Sequence, residues 1–422
     1  MPMNNAGPLK ICLLSYRSNP HSGGQGVYIK NLSRALTEMG HQVDVVSGPP
    51  KLTLDKNINI FRLPCLDLYN PDDLFRVPSL RELADPINFL EWMGVSTMGF
   101  PEPFTFGLRV YRFLKGRFSN YDIVHDNQCL SYGLWAVMKH IPTIATIHHP
   151  ITKDRKLAIQ SAGTPWKKLK QARWYSFVGM QKRVSLKLSR IITVSECAKK
   201  DICEDFGLAG SRIKVVPNGI RTDLFYPLDG IKKDKTRLIV TNSADVPLKG
   251  LDYLMKAVAQ VSKTNNVSLT VVGTPTRNGK IHRLVRELGI RKLVTFTGRI
   301  DHDEFLGQYS KSSIAIVPSI YEGFGLPAGE AMACSLPVIS TTGGALPEVV
   351  GNAGILVPPA DSDALARAIK DLLDDPEKSK KLGEAGFRRV KQFFTWEKAG
   401  QRTVDAYREA IVDYRRLHQI EH

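Results

Sequence analysis

Short β-rich apolar runs alternate with helix-length amphipathic segments along nearly the whole chain. Lys10–Leu14 is followed by a helical stretch over Gly26–Met39 and an apolar run at Val43–Val46; Asp122–His125, Cys129–Lys139 and Pro142–Ile147 repeat the order strand, helix, strand. This alternation predicts parallel sheets with helices on both faces, because each parallel connection must cross back over the sheet. Arg190–Val194 and Ile213–Val216 read as the last strands of a first half. After Pro217-Asn218-Gly219 comes a polar stretch, Asp229–Lys235, with the composition of an interdomain connection. The pattern then restarts. Strands at Arg237–Thr241, Ser268–Val272, Val294–Phe296, Ser313–Val317 and Pro337–Ser340 alternate with helices beginning near Leu248, Lys280, Asp303, Pro327 and Ala345. The expected fold is α/β, two facing doubly wound parallel-sheet domains over residues 1–218 and 219–394, with a terminal helix within 395–422 crossing back onto the first. Open parallel sheets bind ligands outside the carboxyl ends of their strands, at a switch point, so two facing sheets put the site in an interdomain cleft.

Composition narrows the class. A chain of 422 residues exceeds one ordinary core, and 43% hydrophobic with 23% charged residues excludes disordered and fibrous classes. Apolar runs such as Ser312–Pro318 fall far short of the roughly 18 residues that span a bilayer, and Met1–Lys10 has no apolar signal core, so a cytoplasmic location is expected. Six scattered cysteines, Cys12, Cys65, Cys129, Cys197, Cys203 and Cys334, have no metal-ligand or disulfide spacing and read as buried reduced thiols. The net charge of +17 points to an anionic partner, and much of the excess lies between Lys153 and Arg190, where eleven basic residues face the single acid Asp154. Trp166, Trp174, Tyr175, Phe177 and Val178 interleave with them. Two readings fit: a helix lying on an anionic membrane surface, peripheral to it, or a solvated helix face whose apolar side is core.

The most informative segment runs from Pro318 to Ala333. It follows a buried strand and opens a helix, with Pro327 suited to the first helical position and Glu330 in the first turn. Free N–H groups at such a start favour an anion, and Gly323 and Gly325 let backbone approach a ligand closely. Glu322 and Glu330 lie on the loop and the helix respectively, and so suit holding different hydroxyl-bearing parts of one ligand. Gly24, after the first strand and before the first helix, is a second place where backbone can reach a phosphate, without the full spacing of a dinucleotide site. Ser47-Gly48-Pro49-Pro50 offers no acidic ribose reader after the second strand, which disfavours a dehydrogenase.

These residues resemble the retaining glycosyltransferases of family 4, whose GT-B fold is a pair of Rossmann-like domains. The likeness rests on Glu322 and Glu330 separated by seven residues, Ala331-Met332-Ala333, Gly343-Gly344-Ala345-Leu346-Pro347-Glu348, His21-Ser22-Gly23-Gly24, Val194-Ser195-Glu196 and Val216-Pro217-Asn218-Gly219-Ile220. The resemblance implies a nucleotide-sugar donor with Glu330 on the ribose hydroxyls, Glu322 on the donor sugar, and the backbone N–H groups of Phe324, Gly325 and Leu326 on sugar and phosphates. It also implies that His148 faces the donor sugar. Lys249, at the start of the helix after the first strand of the second domain, is placed to neutralise the departing diphosphate. The family has an Arg six residues before that Lys; Ser243 stands here, so Arg299 or another cation substitutes, or the donor is held more weakly.

His149 reads as a loop or acceptor-side residue, and His125 as lining the acceptor side or making a structural hydrogen bond. Asp301-His302-Asp303 and Asp361-Ser362-Asp363 spell a metal-site pattern but directly precede helices, so they read as N-caps, and no metal or other cofactor is expected. With Glu322 occupied by sugar hydroxyls, front-face attack explains retention better than a covalent intermediate. The acceptor, a glycan, glycolipid or lipid-linked sugar of cell-envelope polysaccharide or glycoconjugate synthesis, is expected on the first domain near His21–Gly24 and the irregular apolar stretch Trp92–Phe106. The base is uridine, guanosine or adenosine, read near Gly298-Arg299. A nucleotide-sugar epimerase lacks an evident acid–base pair, and a nucleic-acid-binding protein lacks a recognition motif, so no nucleic-acid partner is expected.

Overall fold

The computed structural model describes residues 7–17, 24–70, 73, 76–241, 246–276 and 279–418. The chain forms two compact units: one takes the chain up to Val194, Lys199–Val216 and the chain from Ala399 on, the other Ser195–Ala198 and Pro217–Lys398.

In the first unit, β1 (Lys10–Ser15), β2 (Gln42–Ser47), β3 (Asn59–Arg62), β4 (Ile123–Asn127), β5 (Thr143–Ile147), β6 (Ile191–Thr193) and β7 (Ile213–Val215) pair in the order β3-β2-β1-β4-β5-β6-β7. All pairings are parallel. The order reverses between β1 and β4, where Leu13 lies beside His125 and Leu14 beside Asp126. Central strands of such a sheet are covered on both faces, and β4 and β5 are buried at every position. The long last helix, Trp396–Leu417, contributes most of its length to this unit. There Arg190 pairs with Asp413 at 2.6 Å and Lys214 with Glu409 at 2.8 Å. Gly400 lets the helix sit close: a Cβ there would lie 3.0 Å from Met39 Sδ.

The second unit carries β8 (Arg237–Thr241), β9 (Ser268–Val272), β10 (Val294–Gly298), β11 (Ile314–Val317), β12 (Val338–Thr341) and β13 (Ile355–Val357), again parallel, in the order β10-β9-β8-β11-β12-β13. Its switch point lies between β8 and β11.

Several expectations are corrected. Asp229–Lys235 is not the crossing: the chain joins the second unit at Pro217, Ile220 N already donates to Phe394 O, and Asp234 N to Lys311 O. Trp92–Phe106 is not irregular. It spans the end of the helix Pro86–Ser96, a turn, and the start of the helix Glu102–Leu114; Gly99, Pro101 and Pro103 punctuate the stretch without abolishing its helices. The helix expected over Cys129–Lys139 is confined to Tyr132–Val137, because Gln128 and Leu130 are left-handed and Ser131 caps the first turn. None of the six cysteines forms a disulfide, but only Cys12, Cys129 and Cys334 are buried.

The basic stretch forms three helices. Phe177–Ser185 buries Phe177, Val178, Met180 and Val184, the core-backed face. Thr152–Gln160 and Pro165–Trp174 bury nothing and leave Leu157, Trp166 and Leu169 in solvent beside their lysines. Among the described residues, no helix is long and apolar enough to cross a membrane.

Candidate active site

In the second unit the switch point presents two loops fastened to each other. Ile320 N donates to Leu248 O at 2.7 Å, and Gly250, left-handed at φ 64°, lies where a Cβ would be 2.0 Å from Pro318 O. This close approach brings Lys249 Nζ to 2.6 Å from Glu322 Oε1, which also accepts the Ser319 hydroxyl at 2.8 Å. A third segment closes on the same loop from β12. Gly344, at φ 65°, would place a Cβ 2.2 Å from Glu322 O, and Ala345 N donates to that oxygen at 2.9 Å. Gly325, left-handed at φ 101°, then starts the helix Leu326–Ala333 with no side-chain cap, so its first N–H groups remain available. Phe324 is buried with its ring edge-on to Phe394. Glu330, half-buried on this helix, has its carboxyl pushed up to about 7 by burial. Ser195 Oγ donates to Gly323 O, and Glu348 accepts the N–H groups of Glu196 and Cys197, so the Ser195-Glu196 and Gly343–Glu348 motifs both brace this loop.

In the first unit the switch point carries a polar network. His148 follows β5, and its Nε2 lies 2.8 Å from Asn127 Oδ1. Because Asn127 Nδ2 donates to Gln25 O, the Asn127 oxygen faces the imidazole; His148 therefore carries its proton on Nε2 and keeps Nδ1 as an acceptor. Burial, then the neighbouring His149, lowers the His148 pKa to about 3, so the ring is neutral. Tyr28 meets it edge-on at 4.7 Å. Gln128 ties the ends of β4 and β5 together: its Oε1 accepts His148 N and its Nε2 donates to His149 O, both at 2.8 Å.

Two family models match the chain: "Glycosyltransferase Family 4" over residues 22–224 and "Glycosyl transferases group 1" over residues 229–389. The "MMP alpha-(1->4)-mannosyltransferase" of Mycolicibacterium hassiacum is 43% identical over 408 residues, covering 96% of this chain and 98% of that protein. The chain belongs to glycosyltransferase family 4. A "D-inositol 3-phosphate glycosyltransferase" of Streptomyces bingchenggensis is 26% identical, covering 98% of this chain and 92% of its own. The sucrose-phosphate synthase of Thermosynechococcus elongatus superimposes with a TM-score of 0.73 at 24% identity, covering 96% of this chain and 100% of that one, which shows the GT-B fold.

This family 4 chain is therefore a retaining glycosyltransferase, and the epimerase reading is set aside. The structure brings together Lys249, Glu322, Gly325, Leu326 and the Phe324 backbone in the second unit, with Glu330 one turn along the helix. Lys249 lies in a 3-10 turn, one step before the helix Leu251–Val261 rather than in it. Arg299 is exposed just past β10 and makes no ion pair among the described residues. His21 and Ser243 lie outside the described residues. Gly24 is the first residue of the helix Gly24–Glu38 and faces open space, so crowding does not demand glycine there.

Of its two readings, His125 fits the structural hydrogen bond. It is fully buried, with Nδ1 2.6 Å from the Tyr407 hydroxyl and Nε2 2.7 Å from Thr146 Oγ1, which engages both ring nitrogens. His149 sits half-exposed, 3.2 Å from Asp154. Sequence reasoning missed Asn127 and Gln128, which orient His148. Their signal was present: a buried parallel strand that ends in three successive polar residues, His125, Asp126 and Asn127, all without exposure.

Proposed function

We propose that the chain is an α-(1→4)-mannosyltransferase that moves mannose from a nucleotide-mannose donor to the end of an acceptor sugar chain, keeping the anomeric configuration. The observation that carries this is the 43% identity to the Mycolicibacterium hassiacum mannosyltransferase across nearly the full length of both chains. Glu330 accepts the ribose hydroxyls and Glu322 the donor-sugar hydroxyls, and in the first unit His148 Nδ1 is an acceptor suited to a sugar hydroxyl. In the free protein Lys249 and Glu322 neutralise each other. A bound diphosphate takes the ammonium and the sugar takes the carboxylate, so the pair holds both groups desolvated and in place.

Retention follows from attack on the face the nucleotide leaves. The C–O bond to the diphosphate breaks while the acceptor hydroxyl bonds to the anomeric carbon, and its proton passes to the departing phosphate oxygen, whose charge Lys249 and the N–H groups at Gly325 stabilise. We propose that no metal takes part. Asp301 Oδ1 accepts Glu304 N, and Asp361 Oδ1 accepts Asp363 N and Ala364 N, so both acidic pairs have capping work. No group of three or more ligand-type side chains is gathered among the described residues.

The enzyme is further proposed to act at the cytoplasmic face of a membrane, with the helices Thr152–Gln160 and Pro165–Trp174 against anionic lipid. Trp166 and Leu169, 61% and 57% exposed among lysines, support that reading. Co-sedimentation that fails to prefer phosphatidylserine over phosphatidylcholine vesicles would remove it. Transfer itself is tested with GDP-, UDP- and ADP-mannose, without divalent metal, onto α-linked manno-oligosaccharides, with linkage analysis of the product. One productive donor giving an α-(1→4) product supports the proposal; transfer of another sugar only, or dependence on added metal, overturns the corresponding part.

A further inference from the structure

The donor half-site leaves unexplained a buried charged cluster at the carboxyl ends of β1, β2 and β3. Tyr16, Gly48 and Leu63, the residues that follow these strands, line one side of a cavity of about 20 Å³. Glu91 from the helix Pro86–Ser96 and Glu102 and Arg109 from the helix Glu102–Leu114 line the other. That volume takes one water-sized group.

The two carboxylates differ. Glu91 is satisfied: its Oε2 lies 2.5 Å from Arg109 and accepts the Thr105 hydroxyl, and Arg109 also donates to Asn88. Glu102 is also buried, at 8% side-chain exposure, and Arg17 Nη2 donates to its Oε1 at 3.0 Å. Its Oε2 lies 2.6 Å from Arg17 Nε yet makes no hydrogen bond of acceptable direction, so this oxygen has charge contact and an unused acceptor position. Burial pushes the Glu102 carboxyl up to about 7 despite Arg17. Structural ion pairs do not ordinarily leave such an atom unsatisfied.

Arg17 connects this cavity to an aromatic wall. Its guanidinium lies 5.7 Å from the ring centroids of both Tyr69 and Phe100. Phe100 stacks on Trp174 at 5.2 Å, and Tyr69 meets both rings at 5.4 Å; all three are half-exposed. A pyranose needs this combination. Its C–H face packs on an aromatic ring, while adjacent hydroxyls donate to a carboxylate and accept from a guanidinium.

We infer that Glu102, Arg17 and the Tyr69–Phe100–Trp174 wall form a sub-site for the terminal uncharged pyranose of the acceptor, with one ring substituent entering the cavity. Among the described residues, the two guanidiniums at the cavity, Arg17 and Arg109, are each paired with a carboxylate, Glu102 and Glu91. The ring substituent that enters the cavity is thus a neutral hydroxyl rather than a phosphate. This inference rests on the transferase reading for the role of the sugar but not for its binding.

The test separates the two. Saturation-transfer NMR on the full chain, with methyl α-mannopyranoside as the probe, is expected to show binding that falls at least about tenfold in Glu102→Gln and in Phe100→Leu. Nucleotide affinity should be unchanged in both variants. D-inositol 3-phosphate should fail to displace the probe. In turnover, Glu102→Gln should raise the acceptor KM and leave the donor KM alone. Probe binding lost in the variants would uphold the sub-site even if the wild type transferred no mannose, an outcome that sinks the transferase specificity alone. No probe binding to wild type together with an unchanged acceptor KM would overturn the sub-site. So would an equal rise of both KM values with a lowered melting temperature, which marks Glu102 as structural, and displacement of the probe by D-inositol 3-phosphate would overturn the exclusion of phosphate from the cavity.

Discussion

Replacing Lys249 by alanine removes the ammonium from a turn whose backbone is held by other groups, so its chemical effect can be separated from its structural one. The loop keeps the Ile320–Leu248 hydrogen bond and the Gly250 approach, and Glu322 keeps the Ser319 hydroxyl. The pair is partly solvated, with Lys249 29% and Glu322 12% exposed, so its net stabilisation stays near that of surface pairs, about 1 kcal/mol. For a unit of this size that corresponds to a fall of about 2–4 °C in melting temperature. Loss of one preorganised charge donor to a leaving group costs roughly 3–4 kcal/mol of transition-state stabilisation, or about 10²–10³ in kcat. The expected signature is a large kcat loss with a small stability loss, read by single-turnover transfer at saturating donor alongside thermal unfolding. Donor affinity measured by calorimetry should change much less than kcat, because in the unliganded protein Lys249 already has Glu322 as a partner. A kcat within about tenfold of wild type would refute the leaving-group role. A kcat loss accompanied by a collapse in melting temperature would show that the lysine holds the loop instead.

Donor affinity should depend on pH through Glu330. Its carboxyl is raised to about 7 by burial, and ribose hydroxyls donate to the ionised form, so affinity should rise with pH and level off above 7, being about tenfold weaker at pH 6; Glu330→Gln should give a weak, pH-independent affinity by calorimetry. Glu102 and Asp126, also raised to about 7, act with Glu330 on stability: the folded form holds protons the unfolded chain has lost, so their share of the unfolding free energy falls from the ordinary carboxylate range up to about pH 7, against the rise that buried neutral His125 and His148 contribute, and Glu102→Gln should remove part of that fall in urea titrations. Gly344→Ala forces a Cβ to 2.2 Å from Glu322 O at φ 65° and should destabilise the second unit by about 2 kcal/mol or more while weakening donor binding, measured together by thermal shift with and without nucleotide. Tyr407→Phe leaves buried His125 Nδ1 without its partner and should cost about 1–3 kcal/mol in denaturant unfolding, with donor affinity intact.

The alternation of apolar strands with amphipathic helices made both sheets readable, because a buried parallel strand such as Ile314–Val317 has to be continuously apolar. The donor loop was readable for another reason: its chemistry is concentrated in consecutive residues, from Glu322 to Glu330. The partnership of Lys249 with Glu322 was not visible, since it depends on Gly250 and Gly344 letting three loops from β8, β11 and β12 converge. Likewise the sequence offers nothing to join His125 to Tyr407, 282 positions away on the returning helix. In the segment between β3 and β4 the helices were obscured by Gly99, Pro101 and Pro103, so the charged cavity beneath them was out of reach of periodicity alone.

The perturbed carboxyls share a physical logic. Glu330, Asp126 and Glu102 are all raised to about 7 by burial, Glu102 even with Arg17 hydrogen-bonded to it. A site built to bind cations or metal would keep its carboxylates solvated or mutually close. A site that grips neutral hydroxyls gains from dry carboxylates, because a hydroxyl donating to one in a low-dielectric setting is worth more than the same bond in water, and because the desolvation has already been met by the fold. Glu322 is the informative contrast. It is partly buried too, but it has Lys249 and Ser319 as partners, and it is the one glutamate assigned to lie beside the departing diphosphate. There the glutamate lies next to an anion, and the neighbouring ammonium offsets the repulsion between them.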